Sequence, residues 1–287
     1  MDLALGTVQF GLSYGIAGRT TAVPENEVRA ILARSAVLGI RMLDTAAAYG
    51  NIEARLAGLV REHDFRIVTK LPPKPAGLTQ SEMESWIGAA LRSAHDRLGD
   101  TLYALMFHRA EDLLDDAAER LWLRCIEWSA SRGCKLGVSC YDPAALHRIR
   151  GQFPITIAQL PGNALDQRLY AEPVAAADRM ETHLRSAFLQ GLLLMPEAAA
   201  AARVPKASMA LARWHGWLRE QALDPLVAAL GLVKGLPGVS HCVVGVDNLA
   251  QLEAIVVAWH AAPVLHANSL AQHDLDVIDP RRWPARP

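Results

Sequence analysis

The sequence predicts an α/β fold, a (β/α)8 TIM barrel whose active site opens at the carboxyl-terminal rim of the strands. Three observations carry that reading. Short apolar runs recur about every 30 residues with helical or loop segments between them, the spacing and count of such a barrel. The run at 40–43 stops abruptly at Asp44, with Tyr49 one loop further on, and later runs stop in the same way at Lys70 and His108. Buried parallel strands read as continuous apolar stretches, and in a closed barrel their carboxyl ends converge on one rim.

The elements follow in order. The first strand covers residues 3–7, and the loop after it carries Phe10, Tyr14 and several glycines. Those glycines lack the spacing of a GxGxxG turn, which must lead directly into a helix. A helix opens at Pro24 and Glu25, keeps Val28, Ile31, Leu32 and Leu38 at roughly helical spacing, and stops at Gly39. Strand 40–44 comes next, then a helix over 53–60, strand 65–69 ending at Lys70, a proline-rich loop at 71–75 and a helix over 81–98. Strand 102–107 ends at His108, and a helix containing Leu121, Trp122 and Ile126 leads to strand 135–138, which ends at Ser139. Strands 155–158, 182–184 and 239–244 end at Gln159, Arg185 and Gly245. Residues 1–287 read as a single domain with a C-terminal extension from about 261, loops at 160–172 and 188–205 at the barrel mouth, and a surface helix in the alanine-rich run 197–202.

Hydrophobic residues make up 51% of the chain and charged residues 21%, which suits a soluble globular protein with a filled interior. A formal net charge of −1 offers no concentrated basic surface, so neither nucleic acid nor an anionic membrane is an expected partner. The oligomeric state is left open. Cys125, Cys134, Cys140 and Cys242 are scattered without CxxC pairing, which argues against a zinc knuckle or a disulfide framework. The N-terminus lacks the basic start and apolar core of a signal peptide, and no run is long enough to span a membrane. A cytoplasmic protein is the expectation.

Asp44, Lys70 and His108 end successive strands, so the barrel brings them to one rim with Tyr49 one loop away. A lysine near a phenol stabilises phenolate and lowers its pKa, a carboxylate keeps that lysine charged, and an imidazole can orient a substrate oxygen. Together they describe a tuned proton donor. Each of them alone has an ordinary explanation as a cap, a surface charge or a core histidine.

The residues that carry this chemistry also carry a resemblance. Asp44-Thr-Ala-Ala-Ala-Tyr-Gly50, Thr69-Lys70, the histidine after the fourth strand, Gly137-Val-Ser139 and Gly191-Leu-Leu193 resemble, in order and spacing, the motifs of the aldo-keto reductase family over nearly the whole chain. The resemblance implies that Asp44, Tyr49, Lys70 and His108 are the catalytic tetrad. It further implies hydride transfer from NADPH or NADH lying across the barrel mouth, with Tyr49 as general acid to the carbonyl oxygen of a small-molecule substrate and no metal required. The opening from Gly6 to Gly15 and the segment from Arg185 to Leu193 resemble a bacterial branch found with sugar and polysaccharide biosynthesis, which implies a sugar or another small polar metabolite as substrate. Phe10, Tyr14, Trp86 and Trp214 are candidates to line its pocket.

On the cofactor side the resemblance implies Ser139 and Gln159 as partners of the nicotinamide carboxamide, and Arg185 in the place of a stacking aromatic ring, where its guanidinium plane can also stack. Ser186 and Gly191 follow in the same segment. Gly245, Asp247, Asn248 and Gln251 surround the start of the helix over 249–259, whose N-terminus could receive a phosphate. Several departures stand out: Cys140 replaces a frequent asparagine, Ala254 and Ile255 replace polar residues, no basic residue lies at the helix start, and Asp247 would repel a 2′-phosphate. The preference between NADPH and NADH therefore stays open. Two other classes compete with the reductase: non-redox proton transfer on the same barrel, as in an isomerase or lyase, and a cofactor-binding regulatory subunit.

Overall fold

A computed structural model describes residues 1–16, 20–171 and 180–284. Eight parallel strands close into a barrel in sequential order: β1 (Asp2–Gly6), β2 (Met42–Asp44), β3 (Arg66–Leu71), β4 (Leu102–Phe107), β5 (Lys135–Ser139), β6 (Ile157–Pro161), β7 (Glu181–Arg185) and β8 (His241–Gly245). The ring closes where β1 pairs with β8, from Asp2 opposite His241 to Gly6 opposite Gly245.

Side chains alternate between the two faces of each strand. One set, Ala4, Met42, Val68, Ala104, Met106 and Ile157, forms its own buried cluster inside the barrel. The other set, including Leu5, Leu43, Ile67, Leu105 and Leu136, joins the main core under the surrounding helices. The barrel interior is tight enough to demand a glycine at one place. A Cβ on Gly137 would stand 1.6 Å from the Ile157 carbonyl oxygen, so no side chain fits there.

Helices α1 (Glu25–Val37), α2 (Ile52–Leu59), α3 (Gln80–Leu98), α4 (Ala118–Ala130) and α5 (Pro143–Arg150) follow the first five strand positions as expected. α3 begins with a reciprocal capping box between Thr79 and Glu82. The alanine-rich run is indeed helical, α6 (Glu197–Arg203), but Ala200 is buried in a second core with Trp214 and Leu218 of α7 (Ser208–Gln221). α8 (Pro225–Lys234) and α9 (Leu249–Ala261) complete the outer layer. Among the described residues no helix is long and apolar enough to cross a membrane.

Most strand boundaries differ by one to three residues from the sequence expectation, and at two strands this moves a predicted end residue into the strand. β3 runs one residue past Lys70, because Lys70 and Leu71 keep pairing with Met106 and Phe107. β6 starts at Ile157 and runs to Pro161, because its register with β7 extends from Glu181 to Arg185. Of the expected mouth loop 160–172, Glu172 lies outside the described residues.

Candidate active site

The rim is organised by one buried ion pair. Lys70 Nζ lies 2.7 Å from both carboxylate oxygens of Asp44 and donates to the Thr45 carbonyl at 3.0 Å. Gln159 Nε2 donates to Asp44 Oδ1 at 2.6 Å. The side chains of Lys70 and Asp44 are only 1% and 6% exposed, so the charges meet where water screens them little. Burial lowers the Lys70 pKa, and Asp44 opposes that shift by charge and hydrogen bond.

Tyr49 sits in the loop after β2, pinned by its amide to the Ala46 carbonyl at 3.0 Å. The Ala47 amide ties the same loop to the Lys70 carbonyl at 3.1 Å. Lys70 Nζ is 5.6 Å from the phenol centroid, and the His108 ring meets the phenol edge-on at 6.0 Å. Four residues predicted to share a rim thus do so. The electrostatics differ from the expected pattern, however. Tyr49 is pushed above the ordinary phenol value, chiefly by burial and then by the Asp44 carboxylate, with Arg185 only partly opposing. Lys70 is turned into Asp44, so the resting site holds a protonated phenol, not a phenolate. His108 is pushed down to about 4 by burial and by Lys70, with Asp44 opposing and Arg185 adding to the fall. Its imidazole is neutral at pH 7, and its buried Nδ1 has no hydrogen-bond partner among the described residues.

From Asp44 and Tyr49 a cleft of about 360 Å³ runs past Gln159, Arg185, Ser186 and Gly191 to Gly245, Asp247, Gln251, Ala254 and Ile255. That volume lies within the usual range for small-molecule sites. Ser139 ends β5 opposite Gln159 in register and is buried, but it does not line the cleft; nor does Asn248. Arg185 is held by the Cys140 carbonyl at 3.2 Å and lies 3.9 Å over the Tyr141 ring. Arg281 lies 3.5 Å from the same ring centre and is fixed by Asp279 at 2.7 Å, so Tyr141 is clamped between two guanidiniums. Arg185 also lines the cleft, where a guanidinium can stack on a flat ring. The residues present fit a nicotinamide coenzyme. The Cys140 thiol, pushed up to about 12 by burial, is inert, and its position matters for its carbonyl.

The segment after β7 is strained. Ser186, Leu189 and Gln190 all have φ between 50° and 64°, in the left-handed region that non-glycine residues avoid. Gly191 follows at φ 91°. This run bends the backbone along the cleft wall, and apart from Gly191 nothing in its residue types announces it.

The start of α9 is already filled by protein groups. Asn248 accepts from the Gln251 amide at 2.9 Å, Gln251 Oε1 accepts from the Asp247 amide at 2.7 Å, and Glu27 of α1 accepts from the Leu249 amide at 2.7 Å. A carboxylate thus occupies part of the helix end that sequence reasoning left for a phosphate. Glu27 is 222 residues away in sequence, which no local signal spans. Of the four aromatic candidates, Tyr14 lines the cleft, whereas Phe10 and Trp214 are fully buried and Trp86 packs against the main core.

The sequence matches the Aldo/keto reductase family over residues 2–274. Similar solved structures include a Pseudomonas aeruginosa protein named as a candidate aldo-keto reductase, 22% identical with a TM-score of 0.64, covering 91% of this chain and 90% of its own. An aldo-keto reductase from Bacillus halodurans, solved in its holo form, is 19% identical with a TM-score of 0.71, covering 98% and 95%. A glycerol dehydrogenase from Gluconobacter oxydans is 18% identical with a TM-score of 0.63, covering 96% and 88%. At such identities these likenesses speak for the fold. No curated protein sequence matches the chain. The family match spans nearly all of the barrel whose rim carries the ion pair, phenol and imidazole, and the chain belongs to the aldo/keto reductase family as an NAD(P)H-dependent oxidoreductase.

Proposed function

We propose that the enzyme reduces an aldehyde or ketone on a sugar or another small polar metabolite, with Tyr49 as general acid. The observation that carries this reading is the buried Asp44–Lys70 pair beside the Tyr49 phenol at the end of the cleft. When bound there, reduced nicotinamide supplies the hydride. As negative charge develops on the substrate oxygen, the Tyr49 hydroxyl gives up its proton, and the resulting phenolate is flanked by the cations of Lys70 and Arg185. Neutral His108 orients the same oxygen through a ring N–H. Asp44 keeps Lys70 charged in spite of its burial, and Gln159 fixes the orientation of Asp44. Arg185, Ser186 and Gly191 line the nicotinamide end, with Gln159 assigned to its carboxamide and Ser139, which does not line the cleft, behind it.

Gly245, Asp247 and Gln251 are assigned to the adenosine end, with Asn248 capping the helix behind them. There the Glu27 carboxylate and Asp247 disfavour a further phosphate, and Arg34 of α1 is paired with Glu253 at 3.0 Å. That arrangement favours NADH over NADPH. The polyol chemistry named for the Gluconobacter neighbour is in keeping with a small hydroxylated substrate.

The test is to incubate the protein with aldoses and short hydroxyaldehydes and either coenzyme, following nicotinamide absorbance and carbonyl loss together. Coenzyme oxidation in step with carbonyl loss supports the proposal. Product formation without coenzyme consumption would instead favour proton-transfer chemistry on the same barrel.

A further inference from the structure

We propose that Glu181, His183 and His241 form a divalent transition-metal site at the amino-terminal floor of the barrel, the end opposite the catalytic rim. Glu181 and His183 are two apart on β7, so both side chains face the same way, and His183 is in register with His241 on β8. The barrel interior also holds the apolar cluster of Ala4, Met42, Val68, Ala104, Met106 and Ile157, and a buried imidazole there needs partners.

Glu181 Oε1 stands 2.6 Å from His183 Nε2 and 3.2 Å from His241 Nδ1, and the three donor atoms all lie within 4.8 Å of one another. Its other oxygen, Oε2, accepts from the Tyr103 hydroxyl at 2.6 Å and from Lys135. The carboxylate is thereby divided, with one oxygen anchored and one presented to two imidazoles. His241 Nδ1 is buried and meets only Glu181, and His183 Nδ1 is buried without a hydrogen-bond partner among the described residues.

Two imidazoles and one carboxylate oxygen are the donor set of zinc, cobalt, nickel and ferrous ions. A four-coordinate ion with ligands at about 2.1 Å holds its donors about 3.4 Å apart. The Glu181–His241 separation meets that already, and the His183 contact must open by less than about 1 Å. His241, with its side chain 18% exposed, faces the floor and leaves a route for the ion and for a fourth ligand from solvent. β7 and β8 share two registered pairs, His183 with His241 and Leu184 with Cys242, so the ion would staple a short seam of the barrel.

The experiment is to titrate the chelator-treated full chain with Co²⁺, recording visible absorption, and then to displace it with Zn²⁺. The expected result is one equivalent of cobalt with tetrahedral ligand-field bands, displaced by one equivalent of zinc. Zinc should raise Tm by about 5 °C at 100 times Kd. His183→Gln, at a fully buried position, could simply unfold, so the decisive variants are His241→Gln and Glu181→Gln, each checked for folding by circular dichroism. Each should weaken cobalt at least tenfold while nucleotide binding at the far rim is retained. The proposal is overturned by the lack of a stoichiometric cobalt spectrum, by variants that bind cobalt as tightly as the unaltered chain, or by sulfur-to-cobalt charge-transfer bands that put the ion on a cysteine.

Discussion

Gly11 packs so closely against the Tyr49 loop that a Cβ on it would lie 2.0 Å from the Tyr49 carbonyl oxygen. The single helical turn Val8–Gly11 therefore acts as a template for the loop that carries the phenol. Gly11→Ala must push that loop away. Because a displacement of about 1 Å can cost about 10²-fold in rate, kcat should fall by about that factor while the Kd for the nucleotide changes little. Steady-state kinetics beside a fluorescence titration check the split, and an unchanged kcat would mean that the loop adapts without moving the hydroxyl.

Lys70 and Asp44 also make a stability prediction. Removing one partner of a buried ion pair leaves the other charge unpaired, at a cost of about 3–5 kcal/mol. Lys70→Met should therefore lower the unfolding free energy by about that amount, and Asp44→Asn combined with Lys70→Met should recover part of it. Urea denaturation of the two single variants and the double variant measures the coupling. Additive losses would contradict a mutual pair.

The pH dependence follows from two shifted groups. His108 is held neutral down to about 4, below the unfolded value of 6.5. Between those values the unfolded chain binds a proton that the native site refuses, so stability should fall as pH drops from 6.5 towards 4. His108→Gln should flatten part of that slope in a Tm series. Tyr49 is shifted the other way, above 10, so it keeps its proton across the neutral and moderately alkaline range. Carbonyl reduction should show no loss of general acid up to about pH 10, and a basic limb starting near pH 7 to 8 in the chemical step would contradict that protonation state.

Coenzyme choice tests the Glu27 contact with Leu249. Glu27→Gln removes a negative charge from the start of α9 while leaving a hydrogen-bond acceptor. The ratio of NADPH to NADH affinity should rise about fivefold, as expected for a charge at a helix terminus worth about 1 kcal/mol. A ratio that does not move would place the 2′-phosphate elsewhere, with Arg34 as the next residue to substitute.

Much of this enzyme was legible in its sequence because two periodicities carried it. Apolar runs ending in Asp44, His108, Ser139 and Arg185 marked the strand ends, whereas Lys70 and Gln159 lie inside β3 and β6, and the helices between them had ordinary caps and stops. What escaped was set by distant contacts. Glu27 at the start of α9, Arg281 on Tyr141, and Gly11 under Tyr49 join segments far apart in the chain, and neither their identity nor their spacing points to the partner. The raised Tyr49 pKa was missed for a similar reason. Sequence shows that a lysine is near, but whether its charge reaches the phenol or is held by Asp44 depends on where Nζ points.

The most direct test of the central claim is Tyr49→Phe, since the account requires the hydroxyl and not merely the ring. Losing a general acid typically costs about 10²–10⁴-fold. The variant should therefore fold, bind nucleotide with an almost unchanged Kd, and reduce its carbonyl substrate with kcat lowered by at least about 10²-fold. If Tyr49→Phe instead reduces the carbonyl at a near-normal rate, Tyr49 is not the proton donor.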